Sequence, residues 1–433
     1  MSSTIPTLVC ARRCASAFKS HPPQHLLPNP SSLRPPTSRA LHASKPSLLV
    51  RPSLLRRTPQ WPSHCRPLTT RAAARNLFRA HPIAIPIATI FILFGLGSFV
   101  YGNYIYRTYI VGQFTAYPEP VAMKLRRAIY YHNTDANPQL AVKFYRQALE
   151  EAAQCGMDPF SNEIIGVKIQ LAFLMENIGQ LGRAAEVLEV VFRDCLAWTE
   201  DPERGAKEER RAQRTRVLAK MVGVSVKLGE LYADDRIKNE EAAEERLVWA
   251  VTTVLKEKER REREGVREGE GAWMSAEEVG GALESLADHY ESSNQHFLAA
   301  PLYLQAVSLV PTTSCHAITL MNNLSISLAL QNPPPTAGIP SPSGASQIND
   351  AKTWARKALA VDRALTKADT RTEECDQGCA VTMINLGEFA EMEGNLAEAR
   401  RWWGEGVELS RRVGFQEGVI RGREALARAD KRK

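Results

Sequence analysis

Apolar and small residues recur at helical spacing in two short runs between positions 275 and 311. The core positions are Leu283, Leu286, Ala287 and Tyr290 in the first run, then Ala299, Tyr303 and Ala306 in the second. This spacing predicts two helices joined by a turn near positions 293–295. Small side chains let the two helices approach closely, whereas large ones fill the space beside them. Because one such hairpin cannot bury its own apolar face, we expect further copies beside it.

The same pattern recurs along most of the chain. It predicts six helix pairs, at residues 121–155, 163–196, 212–257, 277–310, 315–361 and 380–413, and a capping helix at 416–430. Repeats of ~34 residues with this order of small and aromatic positions resemble the tetratricopeptide (TPR) repeat. The predicted fold class is therefore all-α: a TPR helical solenoid of about six helix pairs plus a capping helix, over residues 119–431.

An uncharged apolar stretch precedes the repeats. Residues 83–106 contain no Asp, Glu, Lys or Arg, and the stretch is long enough to cross ~30 Å of hydrocarbon. Tyr101, Tyr104 and Tyr106 at its end suit a membrane–water interface. The stretch predicts one transmembrane helix. A buried globular helix is the weaker alternative, because the stretch stands between a basic tail and the first repeat.

The charges are unevenly distributed. Residues 1–80 contain no acid and are rich in Arg, Ser, Pro and Leu, which is typical of a mitochondrial transit peptide or of a disordered basic leader. All 48 acidic residues lie at or after Glu119, with only 41 of the 55 basic residues. The body is therefore acidic, and the net charge of +7 does not argue for a nucleic-acid partner. The positive flank predicts an N-terminus in the matrix and a body in the intermembrane space of the mitochondrial inner membrane.

Motifs of the common catalytic and metal sites are missing from the sequence. It contains no GxxxxGK[ST], HExxH or GxSxG, and the nine His residues do not cluster at metal spacing. We therefore expect no catalytic residue, no metal and no cofactor, and predict that the chain is not an enzyme. Cys375 and Cys379 form a single CxxxC, which we interpret as two core thiols, with disulfide or metal chemistry as the minor alternative. Cys155, Cys195 and Cys315 are interpreted as small core hydrophobes.

The first helix of each pair is expected to line the concave surface of the solenoid. Each of these helices in pairs two to six contains one motif leucine: Leu171, Leu228, Leu286, Leu324 or Leu386. The residues two positions before and two after it should point inward. They are Ile169, Phe173, Val226, Glu230, Glu284, Asp288, Asn322, Ile326, Ile384 and Glu388. These residues predict a groove that is apolar at intervals and acidic between. Such a groove suits extended segments with basic and hydrophobic side chains. The alternative is that the charges only keep the solenoid soluble.

A run of charged residues lies between the third and fourth pairs, at 256–271. We interpret it as a helix that continues past the solenoid and frays into a solvated loop. A docking segment is the minor alternative.

One stretch is more specific than a general repeat. Residues 126–191 contain Tyr130 and Tyr131, the helix start at Asn137 and Pro138, and the sequence GMDPF at 156–160. The stretch resembles the fungal TPR-containing adaptor subunit of the mitochondrial i-AAA protease. That family shares the order of transit peptide, one membrane span and TPR pairs.

The resemblance implies a function and partners. It implies an inner-membrane adaptor that binds unfolded polypeptide substrates and promotes their delivery to the i-AAA protease, in protein quality control. The implied partners are the protease complex with its membrane adaptor subunits, unfolded polypeptides and inner-membrane lipid, but not nucleic acid. The alternative is a mitochondrial TPR scaffold or import receptor without a role in proteolysis.

Overall fold

The computed structural model describes residues 79–332, 344–365 and 372–431. Nearly all of the expected leader therefore lies outside the described residues. The chain divides into two units, one over His21–Ala116 and one that contains Tyr117–Lys433. The described parts contain fourteen α-helices and no strand.

The first unit contains the apolar stretch as helix α1, Ala84–Ile105. A π-helical turn, Tyr106–Val111, and a 3₁₀ turn, Gly112–Phe114, follow it. The segment Ala84–Thr108 has a mean hydropathy of 2.0, and none of it is buried. Its length and composition are sufficient to cross a membrane.

The second unit consists of six helix pairs and a last helix. The helices are α2 Glu119–Asn133 and α3 Pro138–Gln154, α4 Asn162–Asn177 and α5 Leu181–Glu200, α6 Arg211–Ala233 and α7 Glu240–Glu264, α8 Ala276–Ser292 and α9 His296–Leu309, α10 Cys315–Leu330 and α11 Gly344–Leu365, α12 Glu373–Met392 and α13 Leu396–Arg412, and then α14 Gln416–Asp430. The members of each pair pack on each other, and α14 packs on α12 and α13. The all-α solenoid with a capping helix is confirmed.

Local sequence signals begin and end these helices. The side chain of Asn137 accepts a hydrogen bond from the Leu140 amide at 3.2 Å, just before α3. Ser275 and Glu278 form a capping box at the start of α8, with bonds of 3.2 and 2.7 Å. The turn within pair four places Asn294 at φ 58°, and that within pair six uses Gly394 at φ 81°. Asn and Gly are the residues that adopt this left-handed conformation most readily.

Small residues form the contacts between the two helices of a pair. The second helices carry a small, a large and a small residue at i, i+4 and i+7, as in Ala299, Tyr303 and Ala306, all 0% exposed. In pair six the large residue is Trp403, and it lies against Gly387 of α12. A Cβ atom at Gly387 would overlap the Trp403 indole. The close approach of α12 and α13 therefore requires glycine at this position.

The charged run at 256–271 consists of the end of a helix and an exposed loop, as the sequence predicts, but the loop is ordered by ion pairs. Helix α7 includes its first half and ends at Gly265, which has φ 77°. Arg260 forms ion pairs with Glu257 at 2.6 Å and with Glu270 at 2.9 Å. Residues 262–269 are exposed. Arg211 on α6 donates a 3.2 Å hydrogen bond to the Glu268 carbonyl, so the solvated loop is attached to α6.

The cysteines also differ from the expectation. Cys315 and Cys375 form a disulfide, whereas the sequence placed Cys315 among the isolated core thiols and Cys375 with Cys379. Cys155 is exposed, and Cys195 and Cys379 are buried thiols. Cys315 and Cys375 are 60 residues apart, and only the side-by-side placement of α10 and α12 brings them together.

The packing at Gly387 leads to a matched pair of substitutions. We expect Gly387→Ala to destabilise the protein by about 1–3 kcal/mol, because the added methyl group forces Trp403 out of its packed position. Gly404→Ala on the exposed side of α13, where a Cβ would meet nothing within 4 Å, should instead stabilise it by about 0.5–1 kcal/mol. Thermal unfolding followed by circular dichroism measures both. A Gly387→Ala variant as stable as Gly404→Ala would contradict this packing.

Candidate functional site

The first helices of pairs two and three leave a pocket between them. This α4–α6 pocket has a volume of about 410 Å³, and its lining residues are Ile169, Ala172, Phe173, Glu176, Leu188, Lys220, Gly223, Val224, Val226, Lys227, Glu230 and Leu231. Four of the ten predicted groove residues, Ile169, Phe173, Val226 and Glu230, are therefore brought together here. Seven of the twelve lining residues are apolar, so the pocket suits an aliphatic or aromatic side chain.

Phe173 is held from the side of pair one. Its ring lies 6.1 Å from that of His132 on α2, in a tilted contact. His132 Nδ1 is 3.3 Å from the Tyr145 hydroxyl. Burial lowers the pKa of His132, so the ring is neutral at pH 7 and packs on Phe173 as an aromatic group. One side of Phe173 is thus fixed, while the other side faces the α4–α6 pocket.

The rim of this pocket carries both signs of charge. Lys227 Nζ lies 2.9 Å from Glu176 and 3.2 Å from Glu230. Burial disfavours the ammonium ion, but the carboxylates of Glu230 and Glu176 outweigh it and raise the pKa of Lys227. Lys220 lines the pocket as well. The groove that was predicted to be apolar and acidic therefore also carries two basic residues here, outside the ten predicted positions.

Sequence reasoning missed these lysines because it considered only two positions on each first helix. Lys220, Gly223 and Lys227 are spaced three and four residues apart, which places them on one face of α6. Including the adjacent face of α6, which carries Lys220, Gly223 and Lys227, would have found both lysines.

Glu284 and Asp288 lie further along the chain, on α8, and are half-buried. Glu284 Oε2 is 3.0 Å from His316 Nε2 on α10, and Asp288 accepts a 2.6 Å hydrogen bond from the Tyr303 hydroxyl. The hydrogen bond with Glu284 is the largest cause that raises the pKa of His316. Glu374 on α12 lies 4.0 Å from the other ring nitrogen. Three carboxylates therefore surround one imidazole, and the group keeps a negative charge.

The remaining four predicted groove residues lie inside the protein. Asn322, Ile326, Ile384 and Glu388 are 0–2% exposed, so they do not line an open groove. The reason is that α10 and α12 pack directly on each other. Asn385 donates a 3.0 Å hydrogen bond to the side-chain oxygen of Asn322 in this contact.

Glu388 forms part of the attachment of the capping helix. Arg428 on α14 lies 2.8 Å from Glu388 and 2.7 Å from Glu391. Burial raises the pKa of Glu388 to about 7, although the nearby Arg428 guanidinium lowers it. Its role is therefore to hold α14 in place and not to contact a ligand.

Metal ligation finds no support among the residues that the structure describes. They contain no group of three or more His, Cys, Asp or Glu side chains close enough to hold a metal ion. The α4–α6 pocket can bind through apolar contact and through its Lys–Glu rim.

Comparison with known proteins supports the repeat class. No family model matches the chain. A TPR repeat-containing protein of Schizosaccharomyces pombe is 27% identical over 319 residues, which is 73% of this chain and 79% of that protein. This relative and the six helix pairs together support a TPR repeat protein, and the fold is a TPR helical solenoid.

Solved structures were matched as well. The crystal structure of BtubC (BKLC) from P. vanneervenii is 14% identical with a TM-score of 0.42, and the match covers 64% of this chain and 92% of that chain. A putative kinesin light chain from Podosopora anserina with nearly identical TPR-like repeats is 15% identical with a TM-score of 0.35, over 58% of this chain and all of that chain.

The environment of Glu388 predicts a pH dependence. Its pKa is about 7 when folded, against an ordinary value of 4.5, so the folded protein holds this proton more tightly than the unfolded chain. The stability that this proton contributes is complete below pH 4.5 and is lost as the pH rises through 7. We expect Glu388→Gln to remove this loss, which is roughly 1–3 kcal/mol. Thermal unfolding between pH 5 and pH 8 measures it.

The control for this prediction is Glu405→Gln on α13. Glu405 is half-exposed, with 49% of its side chain accessible, and its replacement should leave the slope of stability against pH unchanged. The pKa assigned to Glu388 is wrong if Glu388→Gln and Glu405→Gln unfold with the same pH dependence.

Proposed function

We propose that this protein is a membrane-anchored adaptor of the mitochondrial inner membrane. It binds unfolded segments of polypeptides with its TPR body in the intermembrane space, and it promotes their delivery to the i-AAA protease. The acid-free leader, the apolar helix α1 and the resemblance of residues 126–191 to the adaptor family support this proposal. The chain acts by binding and not by catalysis.

The α4–α6 pocket is the observation that carries the binding function. Phe173, Ile169 and Val226 are each only partly buried, so they leave apolar surface within reach of a ligand. An unfolded polypeptide exposes aliphatic and aromatic side chains that the folded protein would bury, and burying one of them releases about 1.5–3 kcal/mol. The pocket therefore distinguishes unfolded from folded proteins by the exposure of such side chains.

The polar groups contribute a second, weaker selection. Glu230 is already paired with Lys227, so it adds little attraction for a basic ligand. The cluster of Glu284, Asp288 and Glu374 around His316 retains negative charge and favours segments that also carry Lys or Arg. An exposed ion pair contributes only about 0–1 kcal/mol, so apolar contact dominates the affinity.

The binding role of the pocket predicts unequal effects of two phenylalanine substitutions. Phe173→Ala should weaken the binding of a permanently unfolded, fluorescently labelled polypeptide by about tenfold or more, because it removes apolar contact in the pocket. Phe297→Ala, a half-buried phenylalanine of α9 outside this pocket, should leave the affinity unchanged. Glu284→Ala should cost less than Phe173→Ala and act mainly on the salt dependence. Fluorescence titration of the detergent-solubilised full chain measures all three.

Circular dichroism shows whether each variant remains folded. The α4–α6 pocket is not the binding site if a helical Phe173→Ala protein binds like wild type at low and at high salt.

The adaptor function predicts a stable complex. After gentle detergent solubilisation of mitochondria, the full chain should co-purify with the membrane-bound i-AAA protease, and deletion of the chain should slow the degradation of unfolded intermembrane-space proteins. Recovery with preprotein translocase subunits and not with the protease would favour an import receptor or scaffold and would overturn the adaptor proposal.

The location provides the control for this experiment. When the outer membrane alone is opened, added protease should digest the TPR body. If the body stays protected until the inner membrane is broken, it faces the matrix, and the adaptor proposal fails irrespective of the co-purification.

A further inference from the structure

A single disulfide is present among the residues that the structure describes, and it joins the starts of two helices. Cys315 is the first residue of α10, and Cys375 lies in the first turn of α12. The N-terminal turn of a helix carries a partial positive charge that favours a thiolate. The first turn of α10 contains no acidic residue, whereas that of α12 contains Glu373, Glu374 and Asp376. The helix terminus therefore favours the ionised sulfur at Cys315, and the carboxylates oppose it at Cys375.

The two sulfurs differ in access. Cys375 is 0% exposed, whereas Cys315 is 9% exposed. Cys315 also lines a pocket of about 570 Å³. The other lining residues are Thr313, Ser314, His316, Ala364, Leu365, Thr372 and Glu374. Cys375 does not line this pocket. Of the two cysteines, only Cys315 therefore borders an opening that a thiol can enter.

A hydroxyl group and an imidazole lie close to Cys315. The Thr372 hydroxyl donates a hydrogen bond to Cys315 Sγ at 3.2 Å. Thr372 occupies the position before α12, and its side chain accepts no cap bond from that helix. His316 borders the same pocket. Its hydrogen bond with Glu284 raises its pKa, and the cationic ring offsets part of the negative charge of the carboxylates near the sulfur.

We propose that Cys315–Cys375 is a redox-active disulfide and that Cys315 is the sulfur that exchanges with external thiols. An incoming thiolate attacks Cys315 Sγ and forms a mixed disulfide, and the bond to Cys375 breaks and leaves Cys375 as a thiolate that takes up a proton. A second external thiol then attacks the mixed disulfide at the external sulfur. This step releases Cys315 as a thiolate and a disulfide of the two external thiols, so Cys315 and Cys375 are reduced by two electrons in total. The reaction does not involve the α4–α6 pocket, and it is independent of the proposed adaptor function.

The accepted ligand is a thiol, which could come from glutathione or from a cysteine of a bound polypeptide. Trapping the mixed disulfide tests the assignment of Cys315. The Cys375→Ser full chain is incubated with glutathione disulfide in one arm and with an activated single-cysteine unfolded peptide in the other. Site-resolved mass spectrometry then follows each cysteine. We expect modification of Cys315 at a rate comparable with that of the exposed Cys155, in the glutathione arm at least.

The matched control is Cys315→Ser. Cys375 in this variant should be modified at least about tenfold more slowly than Cys315 in Cys375→Ser, because its sulfur is enclosed. The buried Cys195, whose pKa burial raises to about 11, marks the rate of an inaccessible thiol. Equal rates at Cys315 and Cys375, or a rate at Cys315 as low as that of Cys195, would overturn the proposal. Modification only in the glutathione arm identifies a small thiol as the partner, and modification in both arms extends the partner to protein cysteines.

A second measurement uses the wild-type chain and does not depend on how the variants fold. Reduced glutathione should convert Cys315 and Cys375 to thiols while the circular dichroism spectrum stays native. A disulfide that remains intact until denaturant is added has a purely structural role and contradicts the proposal.

Discussion

The close approach of the two helices in each pair is the constraint on which this structure depends. An alanine or glycine at the crossing point allows the helix backbones to meet, and a large residue one turn away fills the remaining space. Tyr303 and Trp403 play this part in pairs four and six, and both are fully buried. Since a hairpin of this kind leaves its outer face apolar, the next pair must cover it, and the array propagates from pair to pair. The disulfide, the α4–α6 pocket and the buried polar contacts are all consequences of how successive pairs are stacked.

The contacts inside a pair could be predicted from the sequence, because they depend on residues a few positions apart. The small–large–small pattern, the Asn137 cap and the turn at Gly394 all have local signals. The predicted groove is different, because contacts between pairs decide which first-helix positions face solvent. Two residues with the same predicted direction, Phe173 and Ile326, are respectively half-buried in a pocket and 2% exposed. Nothing near Ile326 in the sequence shows that α12 lies against α10, and nothing near Cys315 identifies Cys375 as its partner.

The two ends of the TPR body use their first helices in different ways. Between α4 and α6 the surface is open, with apolar side chains at the base of a pocket and a Lys–Glu rim. Between α10 and α12 the equivalent surface is closed and contains a buried amide pair, and between α12 and α14 Arg428 pairs with two carboxylates. Buried polar groups are costly unless all partners are present. The open part is therefore suited to contact other molecules, and the closed part to keep its own geometry.

The amide pair of Asn322 and Asn385 has a mechanical consequence. Both side chains are 0% exposed, and their hydrogen bond spans α10 and α12. Sliding one helix along the other by a single turn, about 5.4 Å, would break this buried hydrogen bond, at a cost of roughly 1–3 kcal/mol for a buried group that loses its partner. The amide pair therefore fixes the register of α10 against α12, whereas a pocket separates the first helices of pairs two and three.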